Sequence, residues 1–242
     1  MKYAIQMYTL RDGITDGKTL VAALEQVKAL GYQGVEFAGF FGMTAAALKA
    51  ELQRIGLEAV SAHMEADQLT PDKLEQTLEY AATLGLCWIV LPWSDADSTP
   101  ALTKTLQLIH TVSAAAVQRG IPLLYHNHSH EFKLVDGARP IDAIEKACPL
   151  EPDLYWVFVA GENPVAYLRE HRQHIGIIHL KDGDGTHTDA GLTALGEGKN
   201  DIAGLVAAGN ELNIPWAVVE NDAPRPNGVE DAGRSMRYLN SL

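Results

Sequence analysis

The stretch Leu30-Gly31-Tyr32-Gln33-Gly34-Val35-Glu36-Phe37 decides the fold. Upstream of it Leu20, Leu24, Val27 and Leu30 recur at helical spacing, so a single apolar stripe runs down a helix. Gly31 supplies the left-handed cap on which helices commonly end. Gly34 to Phe37 then reads as a short strand, apolar but for Glu36. The same helix, glycine, strand order returns at Ile55-Gly56-Leu57 (after Leu48, Leu52 and Ile55 at helical spacing), at Leu84-Gly85-Leu86 and at Arg119-Gly120-Ile121. Strands are expected over residues 3–8, 34–37, 59–62, 87–91, 122–125, 154–158, 175–180 and 216–219, mostly continuous apolar runs, as strands covered on both faces must be.

Eight such units in 242 residues, about 30 residues each, match the repeat of a closed parallel (β/α)8 TIM barrel, read here as one domain over residues 1–242. A doubly wound open sheet is the rival. It would carry a glycine-rich phosphate loop after the first strand, and this chain has none there. The one long irregular stretch, residues 183–199, follows a strand, where barrels place substrate-covering loops. Lys plus Arg number 19 against 31 Asp plus Glu, a formal charge of −12 that disfavours nucleic acid and anionic membranes as partners. Residues 1–10 lack a basic segment leading into an apolar run, and no stretch reaches the ~18 apolar residues of a membrane span, so a cytoplasmic protein is expected. Cys87 and Cys148 have no close metal-ligand spacing and are expected to be buried thiols. A small-molecule partner is expected, and a homo-oligomer is compatible with the sequence.

Parallel barrels work at the C-terminal ends of their strands. In order those ends offer Arg11, Glu36, His63, Trp93, His126 with His128, Asp153 with Trp156, His179 with Lys181, and Glu220 with Asp222. Residues two apart on a strand share a face, so His126 and His128 can both look down the axis, and so can Glu220 and Asp222. His63, His126, His128, His130 and His179 can crowd one rim. A lone strand-end histidine is more often hydrogen-bonded structure than ligand, but a His, Asp, His and Glu from four strands suit a divalent cation of the Mn²⁺, Zn²⁺ or Co²⁺ type. Asp153 can equally be a turn residue, and Lys181-Asp182 a solvated turn. Glu36, inside a doubly covered strand, would be costly if left unpaired.

Eight segments carry a resemblance: Gln6-Met7-Tyr8-Thr9-Leu10-Arg11-Asp12, residues 31–39, Tyr125-His126-Asn127-His128 with Glu131-Phe132, Asp153-Leu154-Tyr155-Trp156-Val157, residues 160–164, His179-Leu180-Lys181-Asp182, Leu195-Gly196-Glu197-Gly198 and Val219-Glu220-Asn221-Asp222. Together, in this order and across essentially the whole chain, they resemble the sugar phosphate isomerase/epimerase family of xylose isomerase-like TIM barrels. The resemblance implies a divalent metal (Mn²⁺, Zn²⁺, Co²⁺ or Mg²⁺) held by a Glu, an Asp, a His and a Glu at the ends of strands five to eight. The last three fall on Asp153, His179 and Glu220. In place of the first Glu this chain has His126, with His128 and Glu131 as the other candidates, ranked in that order by strand position. Trp156 stands where many relatives carry a sugar-contacting His, which favours stacking on a sugar face.

The activity implied is isomerisation or epimerisation of a keto-sugar or sugar phosphate by proton transfer through an enediolate. A dehydratase or eliminase acting on a keto-sugar or keto-inositol is the runner-up. Glu220, His128 and Glu131 are the expected proton carriers, and Glu36, His63, Trp156 and Lys181 the expected substrate-binding residues. An apurinic-site endonuclease shares the barrel but needs a basic footprint that a charge of −12 denies. A binding barrel without catalysis has the departure at His126 in its favour.

Overall fold

The computed structural model describes residues 1–242. Eight parallel strands, β1 (Lys2–Gln6), β2 (Gly34–Phe37), β3 (Glu58–His63), β4 (Trp88–Leu91), β5 (Leu123–His126), β6 (Leu150–Glu151), β7 (Ile178–Leu180) and β8 (Trp216–Val219), form one sheet. They pair in the order β6-β5-β4-β3-β2-β1-β8-β7. Parallel bridges from Leu150 to Ile175 and from Asp153 to His179 close the ring between β6 and β7. Helices α1 (Gly17–Leu30), α2 (Ala45–Ile55), α3 (Leu74–Leu84), α4 (Thr99–Val117) and α5 (Pro140–Ala147) alternate with the first six strands. Two short helices, α6 (Leu154–Val159) and α7 (Pro164–Glu170), lead into β7, α8 (Ile202–Glu211) into β8, and α9 (Gly228–Leu239) ends the chain. No helix is long and apolar enough to cross a membrane.

Most expected strands fall within a residue or two of these bounds, although β7 starts three residues after the expected 175, and two differences have a local cause. The first strand stops at Gln6, whose side chain accepts from Tyr8 N–H and turns the chain into a 3₁₀ segment, Met7–Gly13. The run Leu154 to Phe158 is not a strand but helix α6, and the sixth strand lies earlier, at Leu150–Glu151. Pro152, lacking an N–H, ends that strand, and Asp153 Oδ1 then accepts from the N–H groups of Tyr155 and Trp156, capping a helix. A continuous apolar run fits a buried helix as well as a buried strand, so the cap decides. Cys87 is also not buried: it is exposed, next to buried Leu86 at the entry to β4, whereas Cys148 is buried.

Inside the ring a small apolar plug of Ala4, Val60, Val90, Leu124, Ile177, Trp216 and Val218 fills the lower half. Gly34 is required there: a Cβ on it would come within 2.6 Å of the Val60 side chain and 3.0 Å of the Trp216 ring. A far larger cluster of 54 buried residues, including Leu20, Leu24 and Val27 of α1, packs the helices onto the outside of the ring.

The plug sets the level of the site. One pleat above Ala4, Gly34, Leu124, Ile177 and Val218 stand Gln6, Glu36, His126, His179 and Glu220, because residues two apart point the same way. Strand β3 is the exception. Val35 pairs with Ala59 and Glu36 with Ser61, so one residue of β3 is bulged out at Val60. The bulge changes the parity of everything beyond it and brings Ser61 and His63, rather than Ala62, to face Glu36.

Candidate active site

Above this polar layer opens a cavity of about 630 Å³ at the C-terminal ends of the strands. His63, His126, His128, Trp156, Lys181 and Glu220 line it, with Tyr8, Arg11, Trp93, Asp189 and Asp222 on its walls. Asp153 and His179 are fully buried in the floor. The imidazoles gather as the sequence implies: ring centroids lie 5.0 Å apart for His63 and His126, 4.6 Å for His126 and His179, and 5.3 Å for His126 and His128.

His126, Asp153, His179 and Glu220 each present a donor atom, all within 4.8 Å of one another. This buried His/Asp/Glu cluster is consistent with a divalent metal site. Asp153 Oδ2 makes no directed hydrogen bond, although Lys181 Nζ lies 3.1 Å away, and the opposite oxygen is occupied by the α6 cap. Two carboxylates stand behind the two imidazoles. Glu36 accepts from His179 Nε2 at 2.7 Å, leaving His179 Nδ1 turned toward Glu220 at 3.2 Å. Glu151 Oε2 lies 3.5 Å from His126 Nδ1, leaving His126 Nε2 turned toward Asp153 at 3.7 Å. A carboxylate behind an imidazole fixes its tautomer and aims the other nitrogen, which is how metal-binding histidines are commonly held.

His63 binds that rear layer together, its Nε2 lying 3.0 Å from Glu36 and 3.1 Å from Glu151. His63, Glu151 and His179 also form, with His126, a second set of donors within 4.8 Å. Burial alone would lower the pKa of His63, but Glu36 and Glu151 raise it to about 10, so in the absence of a cation it is an imidazolium held between the Glu36 carboxylate and Glu151. Burial would raise Glu36, yet His63 and His179 hold it well below the usual carboxylate range. Gln6 Nε2 at 2.8 Å and Ser61 Oγ at 2.5 Å complete its partners. Glu151 goes the other way: burial and the charge of Glu36 push it up to about 8.

Lys181 is the cation of the upper layer, with Nζ 3.1 Å from Asp153, 3.0 Å from Glu220 and 2.7 Å from Asp222. Burial opposes its charge, but these three carboxylates keep it protonated. Burial likewise opposes ionisation of Glu220, and Lys181 and His179 hold it well below the carboxylate range. Asp222 is pushed up to about 6 by burial, against the pull of Lys181. His128 is held neutral, its pKa lowered to about 3 by burial and Lys181, and its Nδ1 has no partner.

Two residues expected at the substrate lie elsewhere. Glu36 sits beneath the floor behind His179, so it touches the imidazole and not the cavity. Glu131 is fully buried, accepting from Tyr125 Oη–H at 2.8 Å and from the main-chain N–H of His128 at 2.9 Å. Both of its oxygens are thereby committed to holding the β5 loop. Glu151, in contrast, escapes the sequence reading, because the sixth strand is placed too late along the chain. Its signal is the run Pro149-Leu150-Glu151-Pro152-Asp153, a two-residue strand fenced by prolines before a helix cap. Tyr8 is missed for a similar reason, lying past the point where β1 turns into a 3₁₀ segment.

Comparison with known proteins bears on this site. A family model described as "Xylose isomerase-like TIM barrel" matches residues 24–242. No curated protein matches the sequence. Among solved structures, a sugar phosphate isomerase/epimerase from Parabacteroides distasonis superposes with a TM-score of 0.84 at 18% identity, over 100% of this chain and 94% of its own. The probable 3-DHS dehydratase AsbF from Bacillus anthracis superposes at 0.80 with 15% identity, over 99% of each chain. A D-allulose 3-epimerase from Methylomonas sp., solved with D-allulose, superposes at 0.74 with 15% identity, over 100% of this chain and 96% of its own. At these identities the likeness is one of fold.

Proposed function

We propose, from the premise that this chain belongs to the xylose isomerase-like TIM barrel family, that it is a divalent-metal-dependent isomerase or epimerase moving a proton beside the carbonyl of a sugar. The observation that carries the reading is the floor cluster of His126, Asp153, His179 and Glu220, placed directly under a polar cavity with aromatic walls. These four residues would hold the metal. The fit rests on the buried, undirected Asp153 Oδ2 and on the carboxylates aimed at the backs of both imidazoles. A bound divalent cation supplies Lewis-acid polarisation of the substrate carbonyl and its neighbouring hydroxyl.

The chain supplies the rest. Glu220, kept ionised by Lys181 and His179, is the base that takes the C–H proton. His128, neutral and lining the cavity, carries a proton on the other side of the substrate. Glu131 acts as a positioning residue by anchoring the His128 main chain. His63 lines the cavity within reach of substrate hydroxyls, Lys181 orients the carboxylates of Glu220 and Asp222, and Trp156, packed beside His128 with centroids 5.7 Å apart, offers a ring face.

The test is incubation of metal-loaded protein with a panel of ketoses in D₂O. Deuterium is expected at the carbon next to the carbonyl, because a proton held on a carboxylate or imidazole trades with solvent. Glu220→Gln should abolish the exchange while leaving the circular dichroism spectrum unchanged. Turnover with no deuterium incorporated would require another base or a hydride shift. Elimination begins with the same proton abstraction, and a product lighter by one water identifies it.

A further inference from the structure

We infer that the cavity takes an uncharged sugar or glycoside and selects against sugar phosphates. The inference deepens the reading above and rests on it, since it names the substrate class of the same site. Barrels that bind phosphate commonly do so with the loops after strands seven and eight and the N-terminus of a nearby helix. In this protein those positions are filled from within. After β7 the main chain curls into a nest of N–H groups, and the carboxylate of Asp182 occupies it, accepting from Gly183 at 2.8 Å, Gly196 at 2.9 Å, and Gly198 and Asn200 at 3.0 Å. Such a nest is an anion site, and its anion here is covalently part of the chain. The N-terminus of α8 is capped by Asp201, which accepts from Gly204 N–H. That of α9 is capped by Asn227 and followed by Glu230 and Asp231 in the first turn, which oppose a second anion.

The cavity itself has the same character. Three cations line it, and all are engaged. His63 Nε2 lies 3.0 Å from Glu36 and 3.1 Å from Glu151. Lys181 Nζ lies within 3.1 Å of three carboxylates. The Arg11 guanidinium donates to the main-chain carbonyls of Tyr8 at 3.0 Å and Asp222 at 2.7 Å, and stacks 4.0 Å over the Tyr8 ring. The walls add Glu65, Asp189 and Asp222. A phosphate ester, carrying about −1.5 to −2 charges at neutral pH, would enter against these acids with no uncommitted cationic side chain to hold its phosphate. An uncharged ring meets surfaces that suit it, namely the half-exposed faces of Trp93 and Tyr8, at 51% and 43% exposure, across the cavity mouth and Trp156 nearer the floor. Aromatic faces and engaged polar groups of this kind read hydroxyls by stacking and hydrogen bonding without net charge.

The test has two arms, both on metal-loaded protein. In the first, inorganic phosphate is titrated into the protein in a calorimeter. No saturable binding is expected at millimolar concentration, whereas a Kd tighter than about 1 mM would overturn the inference. In the second, deuterium exchange is compared for D-fructose against D-fructose 6-phosphate and for D-allulose against D-allulose 6-phosphate. The uncharged member of a pair should exchange with a kcat/KM at least about tenfold higher. An ester that equals or exceeds its parent sugar would overturn the inference even if phosphate alone does not bind. Should no ketose of either kind exchange, the isomerase reading falls, while weak or absent phosphate binding in the first arm still upholds the exclusion of phosphate.

Discussion

Replacing Asp182 by Asn tests whether the loop after β7 is built around its own anion. Asp182 is fully buried, and each of its oxygens accepts two main-chain N–H groups, Oδ1 those of Gly183 and Asn200 and Oδ2 those of Gly196 and Gly198. Asn keeps the shape but turns one oxygen into an NH₂ group, so two of the four donors would face another donor. An orphaned buried donor costs about 1–3 kcal/mol, so the two together predict a loss of about 2–6 kcal/mol. Against a domain stability of about 5–15 kcal/mol that is a large fraction. Gly198→Ala should act on the same nest, because a Cβ there would run into the Asp182 carboxylate and the Gly183 main chain. Urea denaturation followed by circular dichroism measures the global effect, and hydrogen exchange at the Gly196, Gly198 and Asn200 amides measures any local opening of the loop. If Asp182→Asn changed stability by less than about 0.5 kcal/mol with those amides still protected, the four bonds would be energetically idle and the reasoning would fail.

Three further outcomes are expected. His126→Ala should weaken metal binding by roughly tenfold or more, whereas His128→Ala should chiefly lower turnover; the reverse pattern, read by metal titration and kinetics, would exchange their roles. Saturating Mn²⁺ or Zn²⁺ should raise the melting temperature, with stabilisation near 2.7 kcal/mol at about 100 times Kd, and the absence of any rise would argue against a native-state site. In chelator-treated protein, His63 has a folded pKa raised from 6.5 to about 10 against the opposition of burial. Its stabilisation is therefore full below the unfolded value and is lost as pH rises toward 10, at up to about 1.4 kcal/mol per pH unit, so denaturation free energies that stay flat or climb through this window would refute the imidazolium assignment.

Most of the floor was legible in the sequence because the barrel imposes a simple rule. A strand residue whose neighbour two positions earlier fills the apolar plug must itself face the axis one level higher. The strand ends already name His126, His179 and Glu220, and in the structure parity carries Leu124 to His126, Ile177 to His179 and Val218 to Glu220. It also places Glu36 on the axis, but not in the cavity. Whether an inward carboxylate reaches the solvent side or backs an imidazole depends on the height of its strand relative to its neighbours, and that register is set by pairings distant in sequence.

The same rule shows why β3 and β6 were harder. Parity in β3 predicts Ala62 inward and His63 outward from Val60, yet His63 joins the cluster because one residue is bulged between Ala59 and Ser61. His63 is legible in the sequence as the residue that ends β3, whichever way it points. In β6 the difficulty is energetic. Leu154 to Val159 is apolar enough to be a barrel strand, and only the combination of Pro152, which cannot extend the ladder, and Asp153, which satisfies the free N–H groups of Tyr155 and Trp156, makes helix the better solution. Once the strand is shortened to Leu150–Glu151, a carboxylate is buried beside His63 and His126 with Oε1 lacking any partner. A buried, half-partnered carboxylate costs stability, so the misread strand and the raised pKa of Glu151 have one origin: an acid fixed between two prolines at the point where the ring closes.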